Sequence, residues 1–375
     1  MPTPASAIEP RDIMVVLGTR PEIVKLAGIV RLLGDTATIV HTGQHYDGNL
    51  SEIFLTELGL PEPAVHLGIG GERRGIQIGL AVERLDRLFT DRRPDAVVVQ
   101  GDTNTVLAAA IAANACGVPL VHVEAGLRSH DRRMPEEHNR VVADHLADLL
   151  LAPTEVNRSN LLAEGIGERI TVTGNTVVEA VHELLPPRTE REALLHRFDV
   201  ESSEFVLSTF HRPENVDDPD VLATILQQLG RLPLPVVLPL HPRTTASIHA
   251  HGLGALLDPL RVVEPIGYRA FLSLGAEAAL LISDSGGIQE EVSVYKRPLI
   301  VVRRSTERPE VLGTFAERVL PGPKIGDLAH TWLEDLDALH GRLADIPSPY
   351  GDGTASKRSV AAIEELLAGP LRTGP

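Results

Sequence analysis

The sequence predicts an α/β protein built as two doubly wound domains that face one another across a cleft. Three observations predict it. Short continuous apolar runs recur along the chain and read as parallel strands buried on both faces. Each run is followed by a polar turn and a stretch of helical periodicity, which is the βαβα order of an open parallel sheet. The order halts at Pro186-Pro187 and begins afresh near Phe205, and 375 residues exceed what one hydrophobic core usually serves.

The first half opens with a tail, Met1–Arg11, which holds Pro and Ala but no apolar core of a signal peptide and is expected to be disordered. Ile13–Leu17 is the first strand. Gly18-Thr19-Arg20-Pro21-Glu22 follows, with Pro21 suited to a helix's first turn; a strand–turn–helix with Arg20 and Lys25 nearby makes a good anion site, or simply a solvated turn. Thr38–His41 is the second strand and Thr42–Asp47 a polar loop beyond it. Asn49–Leu58 and Gln77–Thr90 have helical spacing. Ala96–Val99, Leu120–Val123 and Leu149–Ala152 are strands, and Arg169–Val172 is the last of this half.

Carboxylates stand where these central strands end. Asp102 follows one, Glu124 lies on the next, and Pro135-Glu136-Glu137-His138-Asn139-Arg140 opens the helix after that. Ligands of open parallel sheets sit beyond the carboxyl ends of the strands, so these acids are expected to converge on one crevice. Each also has an ordinary reading: Asp102 as a helix cap, Glu124 with Arg128 and Glu136 with Arg140 as ion pairs at helical spacing. Thr176–Glu201 reads as the junction, dividing the chain into domains at 12–175 and 176–354.

In the second half Phe205–Thr209 leads to Phe210-His211-Arg212-Pro213-Glu214-Asn215, and Pro235–Leu240 to His241-Pro242-Arg243; His241 also reads as a buried strand-end histidine. Arg261–Val263, Ala279–Ser283 and Pro298–Val302 are further strands, with helices at Tyr268–Ala278, Asp327–Leu343 and Ala355–Leu367. Ser285-Gly286-Gly287 opens a helix straight after a strand. Glycines there would let a phosphate approach the backbone, and Glu290 or Glu291, one turn on, suits a ribose diol. Arg308, His211 and His241 stand at neighbouring strand ends.

Composition narrows the function. A formal net charge of −16 argues against a general nucleic-acid or membrane binder. No apolar run is long enough to span a bilayer. The single cysteine, Cys116, permits no intrachain disulfide and fits a reducing, cytoplasmic compartment; its Ala-rich surroundings suggest packing. Neither GxGxxG after a first strand nor a P-loop occurs, and no His/Cys/Asp group has metal-ligand spacing, so no cofactor and no metal are expected.

GTRPE at 18–22, QGDTNT at 100–105, HVEAGLR at 122–128, PEEHNR at 135–140, GNT at 174–176, FHRPEN at 210–215, SDSGGIQEE at 283–291, TERPE at 306–310 and PYGDG at 349–353 come in this order. Together they resemble the non-hydrolysing UDP-N-acetylglucosamine 2-epimerases, from about residue 13 to 365. The resemblance implies a GT-B fold of two Rossmann-like domains, a homodimer, and a last helix, 355–370, that packs back on the N-terminal domain. It implies interconversion of UDP-GlcNAc and UDP-ManNAc by anti elimination of UDP to 2-acetamidoglucal and re-addition. Asp102, Glu124 and Glu136 are then the catalytic acids, and His211 a diphosphate ligand or an acid assisting UDP departure. Arg20, Ser285, Gly286, Gly287, Glu291 and Arg308 map to the UDP site, Lys25 and Arg140 line the active site, and His241 joins the substrate-binding set.

The chain departs from the family where many members hold an activating second UDP-GlcNAc. Gly43–Leu50 reads GQHYDGNL, Glu72-Arg73-Arg74 replaces ERQ, and Pro213 interrupts HRRE. Little or no activation is therefore expected. A hydrolysing epimerase ranks second because the GTRPE pattern is intact; a GT-B glycosyltransferase and a non-catalytic nucleotide-sugar binder are the remaining readings.

Overall fold

A computed structural model describes residues 11–44 and 55–369. The tail before Arg11, most of the Asn49–Leu58 helix and the His45–Leu50 part of the divergent loop lie outside the described residues; residues 55–57 are helical. The chain divides into two compact units: residues up to Ala180 together with those from Gly351 onward, and Val181–Tyr350.

The first unit carries β1 (Ile13–Leu17), α1 (Arg20–Leu33), β2 (Ala37–His41), β3 (Val65–His66), α2 (Arg74–Arg92), β4 (Ala96–Gln100), α3 (Asn104–Cys116), β5 (Leu120–Val123), α4 (Pro135–Leu146), β6 (Leu149–Ala152), α5 (Glu155–Ala163) and β7 (Ile170–Val172). The strands form one parallel sheet in the order β3-β2-β1-β4-β5-β6-β7. Chain order reverses between β1 and β4, which puts a topological switch point at their carboxyl ends. β1, β4, β5 and β6 are buried throughout because helices cover both faces, and they are apolar but for Gln100 and His122. A core of Met14, Val16, Val97, Val99, Leu85, Phe89 and the alanines of α3 lies between sheet and helices. Alanine lets α2 and α3 approach closely, which is how a chain with 3% aromatic residues fills this layer.

Helix α6 (Val177–Leu184) leads into the second unit. There follow α7 (Arg188–Leu195), β8 (Val206–Thr209), α8 (Pro213–Val216), α9 (Pro219–Leu229), β9 (Val236–Pro239), α10 (Pro242–His251), β10 (Arg261–Val263), α11 (Tyr268–Glu277), β11 (Leu280–Ser283), α12 (Gly286–Tyr295), β12 (Leu299–Val302), β13 (Ala316–Val319), α13 (Lys324–Glu334) and α14 (Leu336–Ala344). Its parallel sheet runs β10-β9-β8-β11-β12-β13, with the reversal between β8 and β11. The expected single helix 327–343 is two helices, broken at Asp335 (φ −129°, ψ 43°). Ile325 and Leu343, both buried, stand a whole number of turns apart, so apolar periodicity runs through the break and conceals it.

The last helix, α15 (Ala355–Ala368), belongs to the first unit. The Ser356 amide donates to Glu179 Oε1 at 2.8 Å, the Ser356 hydroxyl bonds the same carboxylate, and Arg358 donates to the Thr173 carbonyl. Gly28 of α1 leaves room for Ser356: a Cβ there would come within 2.3 Å of its hydroxyl.

Candidate active site

In the first unit, the ends of β1, β4 and β5 carry the polar side chains. Beyond β1, Gly18 and Thr19 turn into α1, and Arg20 is that helix's first residue with Pro21 behind it. Beyond β4, Gly101 takes a positive φ of 78° and Asp102 follows, while Thr103, not Asp102, caps α3 by accepting from the Val106 amide. Beyond β5, Glu124 has a φ of 67°, left-handed backbone that a non-glycine residue rarely adopts and that costs about 1–3 kcal/mol.

Cations reach both carboxylates from helices. Lys25 of α1 donates to Glu124 Oε2 at 2.6 Å, with side-chain exposures of 7% and 3% for the two residues, and Gln100 bonds the same oxygen. Arg140 of α4 grips Asp102 through Nε at 3.0 Å and through Nη2, and its Nη1 meets Glu137 at 2.6 Å. The ion pairs read from helical spacing are thus not the ones formed. Glu124 pairs with Lys25 and Arg128 with Asp144 and Glu164, all brought in by the tertiary fold, while Arg140 pairs with the distant Asp102 and, one turn back on its own helix, with Glu137 instead of Glu136. Glu136, half-buried in the first turn of α4, makes no hydrogen bond or ion pair among the described residues. Its neighbour Glu137 is the structural one, accepting from the Ser129 and His130 amides.

Glu22 is a further buried acid of this edge. It accepts from the Gly18 amide at 3.1 Å and the Thr103 hydroxyl at 2.9 Å, so it joins the turn after β1 to the turn after β4. Burial, only partly offset by hydrogen bonds from Thr19, Thr103 and Gly18, pushes its carboxyl up to about 7.

The second unit places a different set at the ends of β8, β9, β11 and β12. Asp284, fully buried after β11, accepts from the His211 and Arg212 amides (3.1 and 2.9 Å) and from Asn215 Nδ2 at 3.0 Å. It lies 3.3 Å from His211 Nδ1 and so orients that ring, which is 36% exposed. Partial burial pulls the His211 imidazole below its ordinary value; Asp284 opposes this, and Arg212, His241 and Arg303 add to it. The His241 ring is 5.5 Å from that of His211. His241 is exposed, not buried: it caps α10, with Nδ1 accepting from the Arg243 amide at 3.2 Å, a job only a residue at the helix mouth can do.

Ser285 precedes α12, and Gly286 and Gly287 form its first turn, an N-terminus with amide donors of the kind that favours phosphate. Gly286 is needed by a neighbouring side chain: a Cβ there would lie 2.7 Å from Arg308 Nη1. Gly287 has only ordinary space around it. Arg308 is held by Glu290 at 2.6 Å and by Glu307, which also binds the buried Arg303. Glu290 is committed to that arginine, whereas Glu291 accepts from the Tyr268 hydroxyl at 2.8 Å.

The family model described as UDP-N-acetylglucosamine 2-epimerase matches residues 34–364. The UDP-N-acetylglucosamine 2-epimerase of Methanocaldococcus jannaschii is 39% identical over 359 residues, covering 92% of this chain and 97% of the relative. The chain belongs to the UDP-N-acetylglucosamine 2-epimerase family. It is accordingly an epimerase, an isomerase by class. A crystal structure of the M. jannaschii UDP-GlcNAc 2-epimerase in complex with UDP-GlcNAc and UDP matches with a TM-score of 0.85 at 37% identity, covering 94% of this chain and 99% of that one, which identifies the fold as GT-B. A Pseudomonas aeruginosa relative, UDP-2,3-diacetamido-2,3-dideoxy-D-glucuronate 2-epimerase, is 36% identical over 369 residues, 95% of this chain and 99% of its own.

The structure of this epimerase also shows residues that sequence reasoning passed over. Glu22 and Asp284 sat inside quoted motifs without a role. His122 interrupts an apolar strand, and a polar residue in such a run is itself a signal.

Proposed function

We propose that this epimerase interconverts UDP-GlcNAc and UDP-ManNAc without net hydrolysis. The observation that carries the reading is the pair of carboxylates, Asp102 and Glu124, at neighbouring strand ends beside the β1/β4 switch point, each held by its own cation. In anti elimination a carboxylate takes the C2 proton, the C1–O bond to UDP breaks and a C1–C2 double bond forms. UDP then re-adds to C1 while a second acid protonates C2 from the opposite face. One residue cannot serve both faces, so several acids are required, with Glu136 as the third. The second unit binds the nucleotide: Ser285, Gly286 and Gly287 take the diphosphate at the mouth of α12, with Arg308 supplying positive charge and Glu291 the ribose contact; the resemblance adds Arg20 of the first unit to the UDP-binding set. His211, kept largely neutral by its surroundings, ligates the diphosphate or assists its departure. Lys25, Arg140 and His241 complete the substrate contacts.

Turnover needs no added UDP-GlcNAc activator. Besides the divergent sequence, Gln44 and Arg74 support this, since both are occupied within the first unit. Gln44 Oε1 accepts from the Thr105 amide at 2.9 Å, and Arg74 donates to Asn139 at 2.7 Å. The enzyme is proposed to act as a homodimer, and the cysteine usage supports a cytoplasmic location.

Proton NMR of UDP-GlcNAc with the purified enzyme in D2O tests the reading. UDP-ManNAc deuterated at C2 is expected, and UDP-ManNAc offered alone should convert with hyperbolic kinetics. Free ManNAc and UDP would move the enzyme to the hydrolysing class. An unchanged spectrum alongside turnover of UDP-2,3-diacetamido-2,3-dideoxy-D-glucuronate would assign it the substrate in the P. aeruginosa relative's name.

A further inference from the structure

Beneath the three acids lies a buried network that the reaction described above does not use. His122 of β5 is fully buried. Its Nε2 is 2.7 Å from the Gly101 carbonyl and its Nδ1 is 2.7 Å from Asp144 Oδ1. Asp144, on α4, also accepts from the Gly126 amide (3.1 Å) and from Arg128 Nη1 (2.6 Å), and Arg128 in turn makes two 2.7 Å bonds to Glu164. The network therefore fastens the Gly101–Asp102 turn, the loop after Glu124, and the helix that carries Glu136 and Arg140.

The chemistry of the partners assigns the protons. A carbonyl oxygen only accepts, so Nε2 carries hydrogen. Asp144 receives an amide and a guanidinium, so it is ionised, and Nδ1 must donate to it as well. We propose that His122 is a positioning residue held as an imidazolium, whose two donated hydrogen bonds fix the Asp102 turn against β5 for proton transfer at the sugar.

The charges facing the ring agree. Burial opposes its protonation, and Arg128 weakly so, but Asp144 and the Gly101 carbonyl outweigh them and raise its value, while Asp144 is held below the usual carboxylate range. Glu164 acts one step further out, through Arg128. Gly101 needs the anchor because its left-handed backbone, φ 78°, has no side chain of its own to pack.

This inference rests on the proposed roles of Asp102, Glu124 and Glu136, so wild-type turnover is measured first; a wild-type enzyme inert on UDP-sugars overturns that reading and the inference with it. Nitrogen-15 histidine NMR of the intact enzyme should show two ring N–H protons for His122 from about pH 6 to 8, where an ordinary histidine loses one. A single N–H there would overturn the imidazolium and the proposal. His122→Gln keeps a donor at the Nε2 position and His122→Asn does not. The Asn variant should lose about 100-fold in kcat, the scale of a misplaced reacting group, with KM changed less than about threefold, and the Gln variant should recover about tenfold of that loss. Equal losses in the two variants, or losses confined to KM, would overturn the positioning role with the epimerase reading intact. Should both variants fail to fold, the ring protons of the wild-type enzyme decide.

Discussion

At the carboxyl edge of the first sheet, carboxylates stand at the strand ends and cations reach in from the helices: Lys25 to Glu124, Arg140 to Asp102. At the same edge of the second sheet the arrangement is inverted. Asp284 is withdrawn into the interior to hold backbone amides, and the cations beyond β12, the fully buried Arg303 and the largely buried Arg308, are braced by Glu307 and Glu290. Both sheets reverse chain order in the same way and so offer the same kind of crevice. The difference lies in which sign of charge the turns beyond the strands carry and which sign is brought in to brace it. A fold supplies the place; the sign of the charge at the strand ends decides between moving protons and holding an anion.

Removing an acid from the first edge is the sharpest way to break the comparison. Glu124→Gln should lower kcat by about 10²–10⁴-fold, the usual scale for a general acid or base. UDP affinity, read by calorimetry, should stay within about threefold if the second unit binds the nucleotide independently. A parallel loss of UDP affinity would place the nucleotide on the first unit as well.

The opposite result is expected for Asp284→Asn. Its carboxylate accepts three N–H donors, so the variant should lose about 3 kcal/mol of stability in urea unfolding and weaken UDP binding through a loosened His211 turn. Unchanged UDP binding would detach Asp284 from the nucleotide site.

Glu22 sharpens the contrast through pH. Its folded value of about 7 lies above the ordinary 4.5, so the folded protein holds a proton that the unfolded chain releases between these values. The stability this lends is full below about pH 4.5 and lost as pH rises through about 7, on the order of 3 kcal/mol across the window. Glu22→Gln does not titrate, so its deficit against wild type should shrink over that window; a pH-independent deficit would show that the acid is not held neutral.

The smallest effect separates the two adjacent glycines. Gly286→Ala must displace Arg308 and should cost about 1–3 kcal/mol, whereas Gly287→Ala meets nothing nearer than Glu291 at 3.8 Å and, in a helical turn that favours alanine over glycine, should be neutral or stabilise by up to about 1 kcal/mol. Equal costs in the free protein would refute the packing reason given for Gly286.

Much of this was legible in the chain. The inner strands are almost wholly apolar, so their positions follow from the apolar runs: Ile13–Leu17, Leu149–Ala152 and, despite His122, Leu120–Val123 agree residue for residue. The two-residue β3 and the half-exposed β13 were not, because short edge strands lack a buried run to betray them. The break at Asp335 escaped for the opposite reason, since its flanking helices share one apolar phase.

For the site, the sequence by itself determined which residue types end the strands, and hence that Asp102, Glu124, His211 and the Ser285–Gly287 turn lie at the carboxyl edges. A parallel strand has only one direction, so the turn after each strand must emerge at that edge. Only the tertiary structure decided the partners. Lys25 and Glu124 stand far apart in the chain, as do Arg140 and Asp102, and helical spacing had offered each a nearer but wrong companion. It likewise decided that Glu22, His122 and Asp284 are interior groups whose hydrogen-bond partners come from other segments. Burial and hydrogen-bond geometry of that kind arise only when distant segments close around a side chain.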